Sequence, residues 1–298
     1  MTRNDLYTEV TNTIIQTLEQ GLDNDRWELP WHGFSDIPQN ATTKKFYRGV
    51  NVPLLWIFQV KLGYKSGLWA TYKQWQEAGA QVRKGEKSAP IVFWKTIETE
   101  GDNTDAEEQN TRMFARYSSV FNAEQVDGFE FVPEEKRSEI QFKGECTRFV
   151  EQTQAQLEHG HPYACYSTST DTILMPHPEL FRPTGNNTAS ENYYSTLFHE
   201  LTHWSGAEKR LDRIKHKKYA DQDYAFEELV AELGAAMLCA SLGATPCPRA
   251  DHAQYIRSWL KALGDDKRFI FSAASQAQKA IDYLYAFQGQ ENQQQEAA

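Results

Sequence analysis

The chain has 298 residues, 40% of them hydrophobic and 24% charged, which is the composition of a soluble globular protein long enough for two cores of ordinary size. No apolar run approaches the roughly 20 residues needed to cross a bilayer, and the first residues contain no apolar core of signal-peptide length, so a membrane partner is excluded and a cytoplasmic location is expected. The four cysteines (Cys146, Cys165, Cys239, Cys247) are scattered and form no CxxC, which fits a reducing cytoplasm better than a disulfide framework.

The apolar residues of "MTRNDLYTEVTNTIIQTLEQGL" recur at helical spacing and predict a helix over residues 3–20. After a stretch rich in turn formers, "VPLLWIFQVKLGY" and "ATYKQWQEAGA" read as short helices. "APIVFWKTIE" and "TRMFARYSSVFN" alternate apolar positions and read as paired strands, joined by an acidic hairpin tip at about 98–110. Gly, Pro and mixed charge then replace the hydrophobic pattern near 128–142, which places the domain boundary there. The second half opens with a helix over "CTRFVEQTQAQLEHG", followed by short strands around "ACYST" and "DTILMP". Helices over "NYYSTLFHELTHWSG" and "YAFEELVAELGAAMLCASLG" come next, with two more to Phe287. The expected fold is α+β: an N-terminal α/β domain over 1–130, a second domain over 142–290, and a polar tail over 291–298.

The charge is unevenly spread. From Ala41 to Lys95, ten Lys/Arg face two acids, Glu77 and Glu86, so this window carries +8 in a chain whose total is −10. Six of the eight tryptophans precede residue 95, and aromatics interleave with the basic residues. Unpaired bases stack on aromatic faces while Lys and Arg track phosphates, so this composition predicts single-stranded DNA binding with little sequence preference. The expected stacking residues are Tyr47, Trp69, Tyr72 and Trp75; Trp56, Phe58 and Trp94 are expected in the core. The expected phosphate contacts are Lys45, Arg48, Lys65 and Lys73, with Arg83, Lys84 and Lys87 in a Gly-bounded turn.

The chemistry lies in HELTHW, residues 199–204. Residues four apart share a helix face, so His199 and His203 can reach one ion, and Glu200 stands beside it as the general base. Tyr194, Leu197, Phe198 and Leu201 supply an apolar face, and Gly206 a helix stop. A third ligand is required. Position 209 is a lysine, which rules out a third histidine there. "YAFEELVAELGAA" offers Glu227, Glu228 and Glu232. Glu228 and Glu232 share a face among small residues (Ala231, Ala235) and resemble the gluzincin pattern, in which the first carboxylate binds the metal and the second holds a ligand histidine through its other ring nitrogen. Zinc is the expected ion, with manganese or another divalent ion as the alternative. His216, Tyr219 and Tyr224 are candidates for oxyanion stabilisation, and "DTILMP" is either an edge strand that pairs with an extended substrate or a structural strand.

"PQNATTKKFYRGVNVPLLW", "LWATYKQWQEAGAQVRKGEKSAPIVF", "FNAEQVDG", "STDTILMP", "YYSTLFHELTHWSG" and "YAFEELVAELGAA", taken in order, resemble the plasmid-encoded ArdC-type antirestriction proteins over nearly the whole chain. The front half also resembles the start of plasmid conjugation primases. The resemblance implies an N-terminal single-stranded-DNA-binding domain and a C-terminal zincin-like metallopeptidase domain, acting early in conjugative transfer. The implied partners are single-stranded DNA and a protein substrate or host restriction enzyme. Two other readings stand beside it: a DNA-dependent protease of the SprT type acting on DNA-bound proteins, and a DNA-coating protein with a structural metal.

Overall fold

The computed structural model describes residues 3–23, 29, 31, 34, 36–98, 111–131, 138–214, 221–245 and 252–288. The front half runs α1 (Arg3–Asp23), β1 (Gln39–Asn40), α2 (Asn51–Leu62), β2 (Leu68–Ala70), α3 (Tyr72–Glu77), β3 (Gln81–Val82), β4 (Ala89–Glu98), β5 (Thr111–Asn122) and β6 (Val126–Asp127). The predicted hairpin forms: β4 and β5 pair antiparallel from Ala89 opposite Val120 to Glu98 opposite Thr111. Past Glu98, the expected acidic tip lies outside the described residues, as does the polar tail. The sheet is extended to the order β1-β2-β5-β4. Local chemistry sets the helix limits. Thr71 and Gln74 cap α3 reciprocally, and α2 stops at Gly63, whose φ of 73° a side chain would resist.

The back half runs α4 (Glu139–Thr153), β7 (Gln156–His159), β8 (Cys165–Ser167), β9 (Thr172–Met175), α5 (Ala189–Ser205), α6 (Asp221–Ser241), α7 (His252–Asp265) and α8 (Phe269–Tyr285). Two expectations are corrected. The helix expected over 146–160 starts earlier, behind the Ser138/Gln141 capping box, and ends at Thr153; Gln154 turns left-handed and residues 156–159 continue as a strand. The small sheet has the order β7-β9-β8, so "DTILMP" forms its centre and β8 its edge. Ile173 and Met175 are fully buried, which is why that segment took the inner place.

One large core spans both halves. Tyr7, Val10 and Ile14 of α1 share it with Ile256 of α7 and Phe271 of α8. Tyr7 meets Phe271 edge-on at 4.7 Å, and the Thr11 hydroxyl donates to the Lys267 carbonyl at 2.8 Å. The first helix in sequence thus packs on the last two, while smaller cores form under α3 and under the hairpin. Among the described residues no helix is long and apolar enough to cross a membrane.

Candidate metal centre and nucleic-acid surface

α5 begins at Thr188, whose hydroxyl and the Glu191 side chain cap the first turn reciprocally, and its apolar residues bury it almost throughout. That burial carries His199 and Glu200 inside, each 3% exposed. α6 lies against α5, and the helices approach closely where Gly234 faces Thr202. His199, His203 and Glu228 thereby offer ligand atoms that all lie within 4.8 Å of one another. The two Nε2 atoms are 3.1 Å apart, and each is 3.5 Å from an oxygen of Glu228.

An outer layer fixes the two rings. His199 Nδ1 lies 2.9 Å from Glu232 Oε1. His203 Nδ1 pairs with Glu227 Oε1 at 3.0 Å, and Glu227 receives the Arg213 guanidinium through Nε at 2.7 Å and Nη2 at 2.9 Å. Among these residues alone, burial opposes a charge on His203, yet Glu227 and Glu228 outweigh it and push its pKa up to about 10. Burial likewise opposes charge on Glu228, and His199 and His203 overcome it, holding the carboxyl far below the usual range. Two imidazole nitrogens and a carboxylate facing one point, each ring held from behind by a carboxylate, fit a divalent ion. Glu200 is turned differently: its Oε2 accepts from the Tyr166 backbone N–H of β8 at 2.8 Å.

Glu227, Arg213 and Tyr166 carried no signal in the spacing. Consecutive helical residues point about 100° apart, so Glu227 and Glu228 look unable to serve one site. They do because the ring of His203 presents a nitrogen to each. Gly206 follows the last helical residue as expected, but its φ of −83° is one any residue adopts. A Cβ there would sit 2.7 Å from Arg213 Nη2. His216 and Tyr219 lie outside the described residues, and Tyr224 is 41% exposed on the first turns of α6.

The basic, aromatic region is partly rearranged. Trp69 and Trp75 are fully buried in the smaller cores, and the Trp75 indole donates to the Phe121 carbonyl at 3.0 Å, so neither presents a face to a base. Their apolar neighbours, Ala70, Val82 and Val126 around Trp75 and Val120 beside Trp69, filled the cores that composition alone did not reveal. Tyr47 is half-buried, its hydroxyl donating to the Trp69 carbonyl, and burial pushes its pKa up to about 12. Trp56 is buried as expected, Phe58 partly so, and the Trp94 side chain lies outside the described residues. Exposed rings of this region include Tyr72, at 43%, together with Phe46, at 62%, and Phe93, at 42%, neither of which the sequence singled out. Asn40 bonds Gln74, tying the turn with Lys44, Lys45 and Phe46 to α3 with Tyr72 and Lys73. Tyr72 also lines an open cleft with Arg83, Lys84 and Phe121. Lys45, Lys65, Lys73, Lys84 and Lys87 are exposed. The two arginines have protein partners: Arg83 reaches Glu86 at 2.9 Å, and Arg48 reaches Asp282 of α8 at 2.5 Å.

Comparison with known proteins places these two regions in one lineage. A model of the N-terminal domain of anti-restriction factor ArdC matches residues 4–121, and a zincin-like metallopeptidase model matches residues 144–276. An uncharacterized protein of Sinorhizobium fredii is 41% identical over 302 residues, covering 96% of this chain and 94% of that one. A protein of Escherichia coli named DNA primase TraC is 36% identical over 308 residues, covering 96% of this chain and 28% of TraC. The metal-free crystal structure of the antirestriction ArdC protein from the R388 plasmid superposes with a TM-score of 0.77 at 39% identity, covering 95% of this chain and 97% of that one. Its Mn(II)-bound form gives 0.76 at 37% identity, covering 96% and 98%. With both domain models in order along the sequence and an ArdC fold over nearly its whole length, the chain belongs to the ArdC-type antirestriction family.

Proposed function

We propose that this antirestriction protein binds single-stranded DNA without sequence preference through its front half and hydrolyses peptide bonds at the His199–His203–Glu228 centre, protecting incoming plasmid DNA during conjugation. The observation that carries the DNA half is the basic exposed set Lys44, Lys45, Lys65, Lys73, Lys84 and Lys87 beside the exposed rings of Phe46 and Tyr72, in a chain that is otherwise acidic. Lysines there neutralise phosphates, and the two rings accept any base. Stacking thereby stays with Tyr72 and moves from Trp69 and Trp75 to Phe46.

At the second site, His199, His203 and Glu228 would hold zinc, which favours this mixture of imidazole and carboxylate; manganese, bound in one crystal structure of the R388 protein, is the competitor. When bound there, the ion acts as a Lewis acid toward a carbonyl oxygen and toward water. Glu200, oriented by the Tyr166 N–H, takes the proton of the attacking water and returns it to the departing nitrogen as the C–N bond breaks. Tyr166 pairs with β9 through its neighbours, so its own N–H and C=O point to the outer side of β8; the N–H is taken by Glu200, and the C=O is left on the side on which an extended peptide can align.

Transfer of a plasmid into a restricting recipient, with wild type compared with Glu200→Ala, tests the reading. Glu200→Ala should retain metal and DNA binding and lose protection. Full protection by that variant would separate antirestriction from hydrolysis.

A further inference from the structure

We propose that Arg213 and Glu227 are positioning residues for the metal centre: together they hold His203 with its Nε2 turned toward the ion. This rests on the metal reading above.

Glu227 does not face the ion position. Its Oε1 lies 3.0 Å from Nδ1 of His203, while the Nε2 of the same ring lies 3.5 Å from Glu228 and 3.1 Å from His199 Nε2. A carboxylate at Nδ1 fixes the proton on that nitrogen and leaves the Nε2 lone pair for a metal. Glu232 occupies the equivalent place behind His199. Both rings are thus backed by carboxylates of one helix, although only Glu232 stands at the four-residue spacing from Glu228.

Glu227 is 6% exposed and could not stay charged there alone. Arg213, with a side chain 4% exposed, meets both of its oxygens in a fork. Its Nη2 also donates to the Thr202 carbonyl at 2.7 Å, on the helix that carries His203. The guanidinium therefore fixes Glu227 relative to α5 as well as to α6. A separate observation points the same way. Gly206 has a backbone conformation that any residue adopts, yet a Cβ there would lie 2.7 Å from Arg213 Nη2, 2.9 Å from its Cζ and 3.0 Å from Ile214 Cγ1. The glycine is the opening through which Arg213 reaches Glu227.

The test uses the full chain, stripped of metal, with Zn²⁺ and Mn²⁺ affinities measured by chelator competition. Glu227→Asp keeps the charge but withdraws it by one methylene. The pair Glu227→Gln with Arg213→Met removes both charges and leaves neither partner orphaned. Each should weaken metal binding by about 10–100-fold, as loss of a partner behind a ligand histidine does. ¹⁵N NMR of the metal-stripped chain, recorded at a pH high enough for the His203 ring to be neutral, should show the proton on Nδ1 in the wild type and a mixture of tautomers in the variants, a signature that a merely structural pair would not produce. Wild-type affinity and an unchanged tautomer in both variants would overturn the proposal. So would loss of the folded chain in both, which would make the pair a core ion pair. A wild type that binds neither metal would instead overturn the metal reading itself.

Discussion

Gly234→Ala tests how closely the two metal-bearing helices must approach. A Cβ at Gly234 would lie 2.6 Å from Thr202 Cγ2, 2.7 Å from its Oγ1 and 3.2 Å from its Cβ. Ordinary contact begins at 3.4 Å, so the new methyl needs about 0.8 Å of room. Thr202 cannot supply it cheaply, because it is fully buried and its hydroxyl donates to the Phe198 carbonyl at 2.8 Å. α6 must therefore retreat from α5 beside His203. Metal–ligand distances tolerate about 0.2 Å, so a shift several times larger should lower metal affinity at least tenfold. Overpacking costs about 1–3 kcal/mol, and the better helix propensity of alanine returns about 1 kcal/mol. The metal-stripped chain should therefore lose about 0–2 kcal/mol, a fall in Tm of at most roughly 8 °C. Thr202→Ala removes both offending atoms, so the double variant should recover most of the metal affinity. Chelator competition and thermal melts on the four proteins of the cycle measure this. Wild-type affinity in Gly234→Ala, or a double variant no better than the single, would refute the close-approach argument.

Four further outcomes are expected. His199→Ala should abolish stoichiometric metal binding, Glu228→Ala should weaken it strongly, and Glu232→Ala by about 10–100-fold; a Glu232 variant that loses metal while Glu228→Ala keeps it would reverse their roles. His203 must be neutral to bind, and its folded pKa of about 10 exceeds the unfolded value of about 6.5. Metal affinity should therefore climb with pH across that window with release of a proton, read as a buffer-dependent calorimetric heat, while the metal-stripped chain, stabilised by the proton below about 6.5, should lose that contribution as pH rises through about 10. Trp75→Ala should cost about 3–5 kcal/mol of stability, whereas Tyr72→Ala should keep the fold and weaken single-stranded DNA binding in fluorescence anisotropy with the salt slope unchanged. Lys84→Ala should weaken binding to all sequences alike and make the log–log salt slope shallower by about 0.7.

Regular patterns were legible in the sequence, and contacts between distant segments were not. The hairpin of β4 and β5 and the helices α5 and α6 announce themselves by alternation and by 3.6-residue spacing. The His199/His203/Glu228 set follows from positions on two helices. Strand order does not follow, because the two short segments around "ACYST" and "DTILMP" look alike until one is buried, so the sequence leaves β9 open as the edge strand that β8 proves to be. Trp69 and Trp75 show why composition misled: a ring next to lysines in sequence can still turn inward when the next residues alternate across a strand or a short helix. Arg213 had no spacing to betray it, since it comes from an irregular segment and finds its partner 14 residues on.

The charge inventory of the candidate metal centre also bears on which bond it would cleave. Under the proposed function, a metal site in a DNA-binding chain could cut either nucleic acid or protein. Four buried carboxylates, Glu200, Glu227, Glu228 and Glu232, gather around two imidazoles. Arg213 is the guanidinium in contact with them, and its fork is filled by Glu227 and the Thr202 carbonyl. With a divalent ion and neutral imidazoles the cluster carries about −1, and a proton on Glu200 brings it to neutrality. A phosphodiester would add another negative charge, and phosphoryl-transfer sites meet that charge with arginines, lysines or further metal ions. Among the described residues Lys209 and Arg210 are paired with Asp171. A peptide carbonyl adds no charge and needs no such partner. The expected outcome is that metal-loaded protein leaves labelled single-stranded DNA and supercoiled plasmid intact on denaturing gels while it cleaves an unfolded protein in a Glu200-dependent way. Metal-dependent nicking that Glu200→Ala abolishes would invert the assignment, because the same carboxylate would then serve a phosphate that this charge balance disfavours.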